Sequence, residues 1–143
     1  MYKKVLVAYD GSDKAHDAFN FALEMAVNCP DSSTKLVVVS VAQMPEPMDY
    51  VEMNPGAIID GITRYYEDLF KGLKAEAEKK GVNIDTKVIV GHPADMIVKY
   101  AQEKGCDMIV IGHRGRSKVA DWLLGSVSRR VASYSHCSVT IVK

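Results

Sequence analysis

Five short apolar runs recur along the chain: Val5-Leu-Val-Ala8, Leu36-Val-Val-Val39, Lys87-Val-Ile-Val90, Met108-Ile-Val-Ile111 and Val139-Thr-Ile-Val142. None alternates polar with apolar positions. That is the pattern of strands covered on both faces, and sheets built of them are mostly parallel. Between the runs the period changes. Behind Ser12, a good N-cap, Ala15, Ala18, Phe19, Ala22, Leu23 and Ala26 repeat at three and four residues and predict a helix with one apolar stripe. Ile62, Tyr65, Tyr66, Leu69, Leu73 and Ala77 predict a second helix, closed by Gly81. Pro93 and Asp95 suit the first turn of a third, which Gly105 ends. A fourth is expected to start near Gly125-Ser126 and run to about Ser135.

The order is therefore β-α-β-α-β-α-β-α-β. Right-handed crossovers turn such an α/β chain into an open parallel sheet with helices on both faces, three layers in all. Ligands of these sheets bind at the carboxyl ends of the strands, where the strand order reverses. Chemistry is expected just after Ala8, Val39, Val90 and Ile111. Residues 43–57 break the pattern with three of the five prolines and three methionines, and read as a long connection. Met44, Met48 and Met53 would make it an adaptable lid or a mobile loop.

With 143 residues, 48% hydrophobic and 25% charged, the chain is expected to be one domain over 1–143 with a full core. A net charge of zero argues against a nucleic-acid partner. The charge is unevenly spread. Residues 1–112 carry 12 basic and 17 acidic side chains, whereas 113–143 carry six basic ones and a single acid, Asp121. A cationic tail segment in a neutral protein points to a small anionic ligand. Cys29, Cys106 and Cys137 are far apart with no C-x-x-C spacing, which fits reduced thiols and no zinc site. The first apolar stretch is too short for a signal peptide and no run is long enough for a membrane helix, so a cytoplasmic location is expected.

The most informative segment is Gly112-His-Arg-Gly115-Arg-Ser-Lys-Val-Ala-Asp-Trp-Leu-Leu-Gly125-Ser126-Val127-Ser128, which leads from the fourth strand into the last helix. Glycine permits positive φ and close approach of backbone N–H groups to an anion. The helix start adds unpaired N–H donors and the positive end of the dipole. Ser126 and Ser128 supply hydroxyls, and Arg114, Arg116 and Lys118 supply charge. Together these would cradle a di- or triphosphate. Neither a Gly-x4-Gly-Lys-Ser/Thr loop nor a Gly-x-Gly-x-x-Gly turn is present.

Almost the whole chain resembles the universal stress proteins, in the branch with the ATP pattern Gly-x2-Gly-x9-Gly-Ser/Thr. The likeness includes Lys4-Val-Leu-Val-Ala-Tyr-Asp10-Gly-Ser12, the Gly91-His-Pro93-Ala94 turn, the glycine pattern and Ser138-Val-Thr-Ile-Val142. The resemblance implies a Rossmann-like five-stranded parallel sheet ordered 3-2-1-4-5, and a homodimer joined through the last strand, 138–143. It implies that Gly112, Gly115, Gly125, Ser126 and the Val127 backbone meet phosphates and ribose. Asp10 would face ribose or a metal-bridged phosphate, and Val41, just after the second strand, would meet adenine. Ala8, Ile111, His113, Arg114, Arg116 and Ser128 complete the expected nucleotide site. The expected ligand is ATP, or ADP or AMP, with magnesium held by the phosphates and by at most one carboxylate, Asp10.

His16, His92 and His136 fit no metal spacing and read as surface or capping residues; His113 adjoins Gly112 and would approach phosphate. Trp122, Leu123 and Leu124 read as core or subunit interface. No Gly-x-Ser-x-Gly, His-Glu-x-x-His or spaced carboxylate pair offers a nucleophile, base or metal set. Three readings follow: a nucleotide-binding regulator, stress-responsive and read by a protein partner of unknown identity; a slow ATPase on the same site; and an interaction module without a nucleotide.

Overall fold

The apolar runs form a parallel sheet in the order β3-β2-β1-β4-β5, as the resemblance implies. Its strands are β1 (Lys4–Ala8), β2 (Lys35–Ala42), β3 (Ile84–Val90), β4 (Met108–Gly112) and β5 (Ser138–Val142). The crossovers are α1 (Asp13–Val27), α2 (Pro55–Lys79), α3 (Pro93–Glu103) and α4 (Ser126–Tyr134). The structure, a computed structural model, describes residues 2–31, 33–44, 54–115 and 123–143.

Two-sided burial explains why the central strands do not alternate. Val5 pairs with both Leu36 and Met108, so the register sets whole rows of side chains on one face. Val5, Val7, Leu36, Val38, Met108 and Val110 pack with Phe19 and Leu23 of α1 and Phe70 and Leu73 of α2. Their chain neighbours Leu6, Ala8, Val37, Val39, Ile109 and Ile111 pack on the other face with Ile97 of α3 and Val131 of α4. Each fully buried aliphatic side chain contributes ~1.5–3 kcal/mol. A one-residue slip would exchange the two faces of a central strand.

Three expectations change. β2 runs on to Ala42 instead of stopping at Val39, because the buried Ser40 hydroxyl donates to the Tyr9 carbonyl at 2.6 Å and no longer needs water. Val41 therefore lies inside the strand, paired with Ile89. β3 begins three residues early, at Ile84, and its first half does alternate: Asp85 and Lys87 are exposed while Ile84, Thr86 and Val88 are partly covered. As an outer strand it needs only one apolar face. α2 begins at Pro55, inside the stretch read as irregular. Asn54 accepts the Gly56 N–H at 2.9 Å and Pro55 occupies the first turn, where its missing N–H costs nothing.

The apolar stripe of α2 is also rotated from the expected one. Tyr66, Phe70, Leu73 and Ala77 are buried, Ile62 and Leu69 pack partly against them, and Tyr65 is exposed. The other termini follow the sequence: the Ser12 hydroxyl accepts the Ala15 N–H at 3.1 Å, and Gly81 and Gly105 take φ of 75° and 67° just past their helices. Met48, Met53 and Trp122 lie outside the described residues; Met44 and Leu123 are exposed.

β1 leads into α1 on one face of the sheet and β4 into α4 on the other. The two connections diverge, and a crevice opens between the carboxyl ends of these neighbouring strands.

Candidate functional site

A cleft of about 790 Å³ occupies that crevice. One wall is backbone-rich: Gly112, Arg114 and Gly115 after β4, and Gly125, Ser126, Val127 and Ser128 at the start of α4. The floor is apolar, made by Ala8, Val39, Val41 and Ile111. Asp10 and Ser12 stand between floor and wall, and Ile58, Ile62 and Tyr65 of α2 form the opposite side. The structure thus brings together every expected site residue except two. His113 is buried outside the cleft, and Arg116 lies outside the described residues.

The backbone explains how the loop is held. His113 donates its N–H to Val142 at 2.7 Å, so the start of the loop is tied to β5. Its carbonyl accepts the Gly125 N–H at 2.9 Å, which returns the chain beside its departure point. The Ser128 hydroxyl, 2% exposed, lies 2.9 Å from the His113 carbonyl and 3.0 Å from that of Gly125. One hydroxyl carries one proton, and here it is spent on the loop, so Ser128 is a brace and its free donor is its backbone N–H. Helix geometry leaves the amides of Ser126, Val127 and Ser128 without intrahelical acceptors. They point out of the positive end of α4 into the cleft wall, where an anion is favoured.

The three pattern glycines are not chosen for positive φ; the glycines with that conformation are Gly11, Gly81, Gly91 and Gly105. They are chosen for space. A Cβ on Gly112 would lie 2.8 Å from the Lys14 carbonyl oxygen, so this glycine lets β4 pass under the first turn of α1. A Cβ on Gly125 would lie 3.2 Å from the Arg114 Cα. On Gly115 it would strike the Asp10 Oδ2 inside the cleft. Gly112 and Gly125 therefore serve chain packing, and Gly115 serves the cavity.

Asp10 is both a turn residue and a wall of the site. Its Oδ1 accepts the Ser12 N–H at 3.0 Å, and its Oδ2 faces Gly115. Beside it Tyr9 lines the cleft, and burial, then the nearby Glu76, Tyr65 and Asp10, push its phenol above the usual range. It stays protonated and can donate. His16 is not at the cleft; its Nε2 lies 3.3 Å from Glu76 Oε2 and ties α1 to α2. His92 holds the cap position of α3 without a side-chain bond.

The α2 wall escaped the sequence reading. Ile62, Tyr65 and Tyr66 were legible as an apolar stripe, but periodicity does not say that the stripe is wider than the core it covers. Tyr65, 44% exposed and edge-on to Tyr66 at 5.4 Å, overhangs the cleft, and Ile58 continues the row toward the helix start. Among the described residues no group of three or more His, Cys, Asp or Glu side chains could hold a metal ion, and no helix is long and apolar enough to cross a membrane.

Comparison with known proteins agrees with this geometry. Residues 1–143 match the family model described as the universal stress protein family. A universal stress protein of Methanocaldococcus jannaschii is 34% identical over 143 residues, covering 100% of this chain and 83% of that one. The universal stress protein YxiE of Bacillus subtilis is 32% identical, with 100% of both chains covered. Among solved structures, a universal stress protein in complex with cAMP superposes with a TM-score of 0.68 at 31% identity, covering 99% of this chain and 97% of the other. One from Archaeoglobus fulgidus in complex with dAMP gives 0.70 at 26% identity, covering 99% and 98%.

Proposed function

The chain belongs to the universal stress protein family, and from that premise we propose that it is an ATP-binding regulatory protein with little or no catalytic turnover. The observation that carries this reading is the two-sided cleft. An apolar floor of Val39, Val41 and Ile111 faces a wall of glycine backbone and helix-start amides beside Arg114. A ligand that is flat and apolar at one end and anionic at the other satisfies both. Relatives solved with cAMP and dAMP support an adenine nucleotide.

In this reading the base lies on the floor near Val41 and the ribose near Asp10. The phosphates meet the backbone of Gly112 and Gly115 and the amides of Ser126 and Val127. Asp10 sets a condition. A carboxylate against Gly115 repels a bare triphosphate, whereas magnesium on the phosphates turns it into a ligand. The residues present therefore fit a magnesium that arrives with the nucleotide. It would neutralise phosphate charge, with Asp10 as its one protein carboxylate.

Turnover is a different demand. Fast hydrolysis needs a positioned water as well as charge stabilisation. Among the described residues lining the cleft, Arg114 can supply the second, while the one carboxylate, Asp10, already accepts the Ser12 N–H. Slow hydrolysis at most is expected. The wider reading also includes a cytoplasmic homodimer through β5, an outer strand whose free edge would otherwise invite aggregation.

Calorimetric titration of nucleotide-stripped protein with ATP and magnesium tests the assignment. Saturation near one ATP per chain is the expected result. No heat at millimolar ATP would remove the nucleotide and leave an interaction module. Parallel titrations with ADP, AMP and cAMP rank the ligands.

A further inference from the structure

Away from the cleft, β3 is an outer strand, hydrogen-bonded to β2 on one side only. Along its seven residues a row of backbone N–H and C=O groups faces outward, a template for another extended chain. α2 packs over this strand but leaves a groove of about 430 Å³ beside it, lined by Phe70, Val88, Thr86, Lys71, Lys74 and Lys87. Glu67 is the single acid among the lining residues. Lys71 reaches Asp68 at 3.4 Å, but both side chains are largely exposed and such a pair is weak. Among the described residues Lys74 and Lys87 belong to no ion pair.

We propose that the groove and the free edge of β3 form a docking site for an extended acidic segment of a partner protein, which adds to the sheet as a further strand. Main-chain hydrogen bonds to β3 would hold such a segment, and the alternation of its side chains would select it. Residues turned toward α2 meet Phe70 and Val88 beneath the rim lysines Lys71 and Lys74, which favour acids. Those turned the other way meet Lys87 and, two residues before it, the exposed Asp85, so an acid is favoured there only opposite Lys87. The same lysines repel a basic edge and would lose hydration, without compensation, beneath a neutral one. They also disfavour a second copy of this chain, because pairing two β3 edges would bring two cationic grooves together. The proposal stands on the sheet edge and its charges and is independent of the nucleotide reading, so loss of one leaves the other intact.

The test uses a fluorescein-labelled peptide of the seven-residue length of β3, with valine and glutamate alternating. Saturable anisotropy that weakens with salt is expected. The double variant Lys74→Glu, Lys87→Glu should lose about tenfold or more in affinity while its melting temperature and ATP titration stay unchanged. A peptide methylated at alternate backbone nitrogens, which keeps its side chains but cannot form the ladder, should not bind. Absence of binding by the parent peptide, equal binding by the methylated one, or indifference to the charge reversal would each overturn the proposal. So would a concentration-dependent self-association that the peptide does not displace and the double variant abolishes.

Discussion

Gly112 and Gly115 sit three residues apart in one motif, yet the structure assigns them different tasks, and a pair of alanine variants separates the two. In Gly112→Ala the new methyl would lie 2.8 Å from the Lys14 carbonyl oxygen and 2.9 Å from its carbonyl carbon. These are backbone atoms in the first turn of α1, and β4 is hydrogen-bonded on both sides, so neither partner yields cheaply. Overpacking of this kind costs ~1–3 kcal/mol. At this chain length a kilocalorie shifts the melting temperature by about 4 °C, giving a fall of roughly 4–12 °C. In Gly115→Ala the methyl meets only the Asp10 Oδ2, the end of a side chain that can turn. Turning it loosens the bond from Ser12 N–H to the carboxylate Oδ1, worth at most ~1.5–3 kcal/mol if it is lost outright. The methyl then fills the place where phosphate must approach backbone, and ATP affinity should fall about tenfold or more, ~1.4 kcal/mol. Thermal denaturation and calorimetric titration of both variants measure these quantities. Parent-like melting of Gly112→Ala, or unchanged stability and ATP binding in Gly115→Ala, would refute this division of tasks.

Three further outcomes are expected. Asp10→Asn should weaken magnesium-ATP binding by about fivefold, roughly 1 kcal/mol, yet strengthen binding of ATP in chelator, because the carboxylate repels phosphate until a cation intervenes; titration with and without magnesium shows the crossing. Tyr65→Ala should cost several-fold in nucleotide affinity with little change in melting, whereas Tyr66→Ala, at a position 6% exposed, should cost ~3 kcal/mol of stability. Hydrogen bonding from the Thr34 side chain, then from Ser33, lowers the Cys29 thiol to about 7 from an ordinary 9.0. A thiol whose folded pKa is depressed stabilises the fold above its unfolded value, and that stability is lost as pH falls through the folded one. Melting temperature should therefore rise between pH 7 and pH 9 by more than in Cys29→Ser, and identical pH profiles would rule the hydrogen bonds out.

Local patterns carried much of this molecule. The unbroken apolar runs marked the five parallel strands, and the three central ones, β1, β2 and β4, are buried on both faces, whereas the outer strands β3 and β5 are only partly covered. Ser12, Gly81, Pro93 and Gly105 marked helix ends because capping and φ preference act within a few residues. The crevice at the carboxyl ends followed from the βα order alone. What the sequence left open were quantities that depend on a distant partner. Ser40 looked like a strand end until the Tyr9 carbonyl stood 2.6 Å from its hydroxyl. The packing role of Gly112 and Gly125 was not legible, because Lys14 and Arg114, which occupy the space a side chain would need, are brought there by the fold. The Ser128 hydroxyl and the His113 side chain looked available, and the loop closure used the first while burial removed the second from the cleft. Tyr65 belonged to an apolar stripe whose period names the residues that share a face. Whether that face meets the core, the cleft or water is decided by where α2 lies over the sheet, and long-range packing alone fixes that.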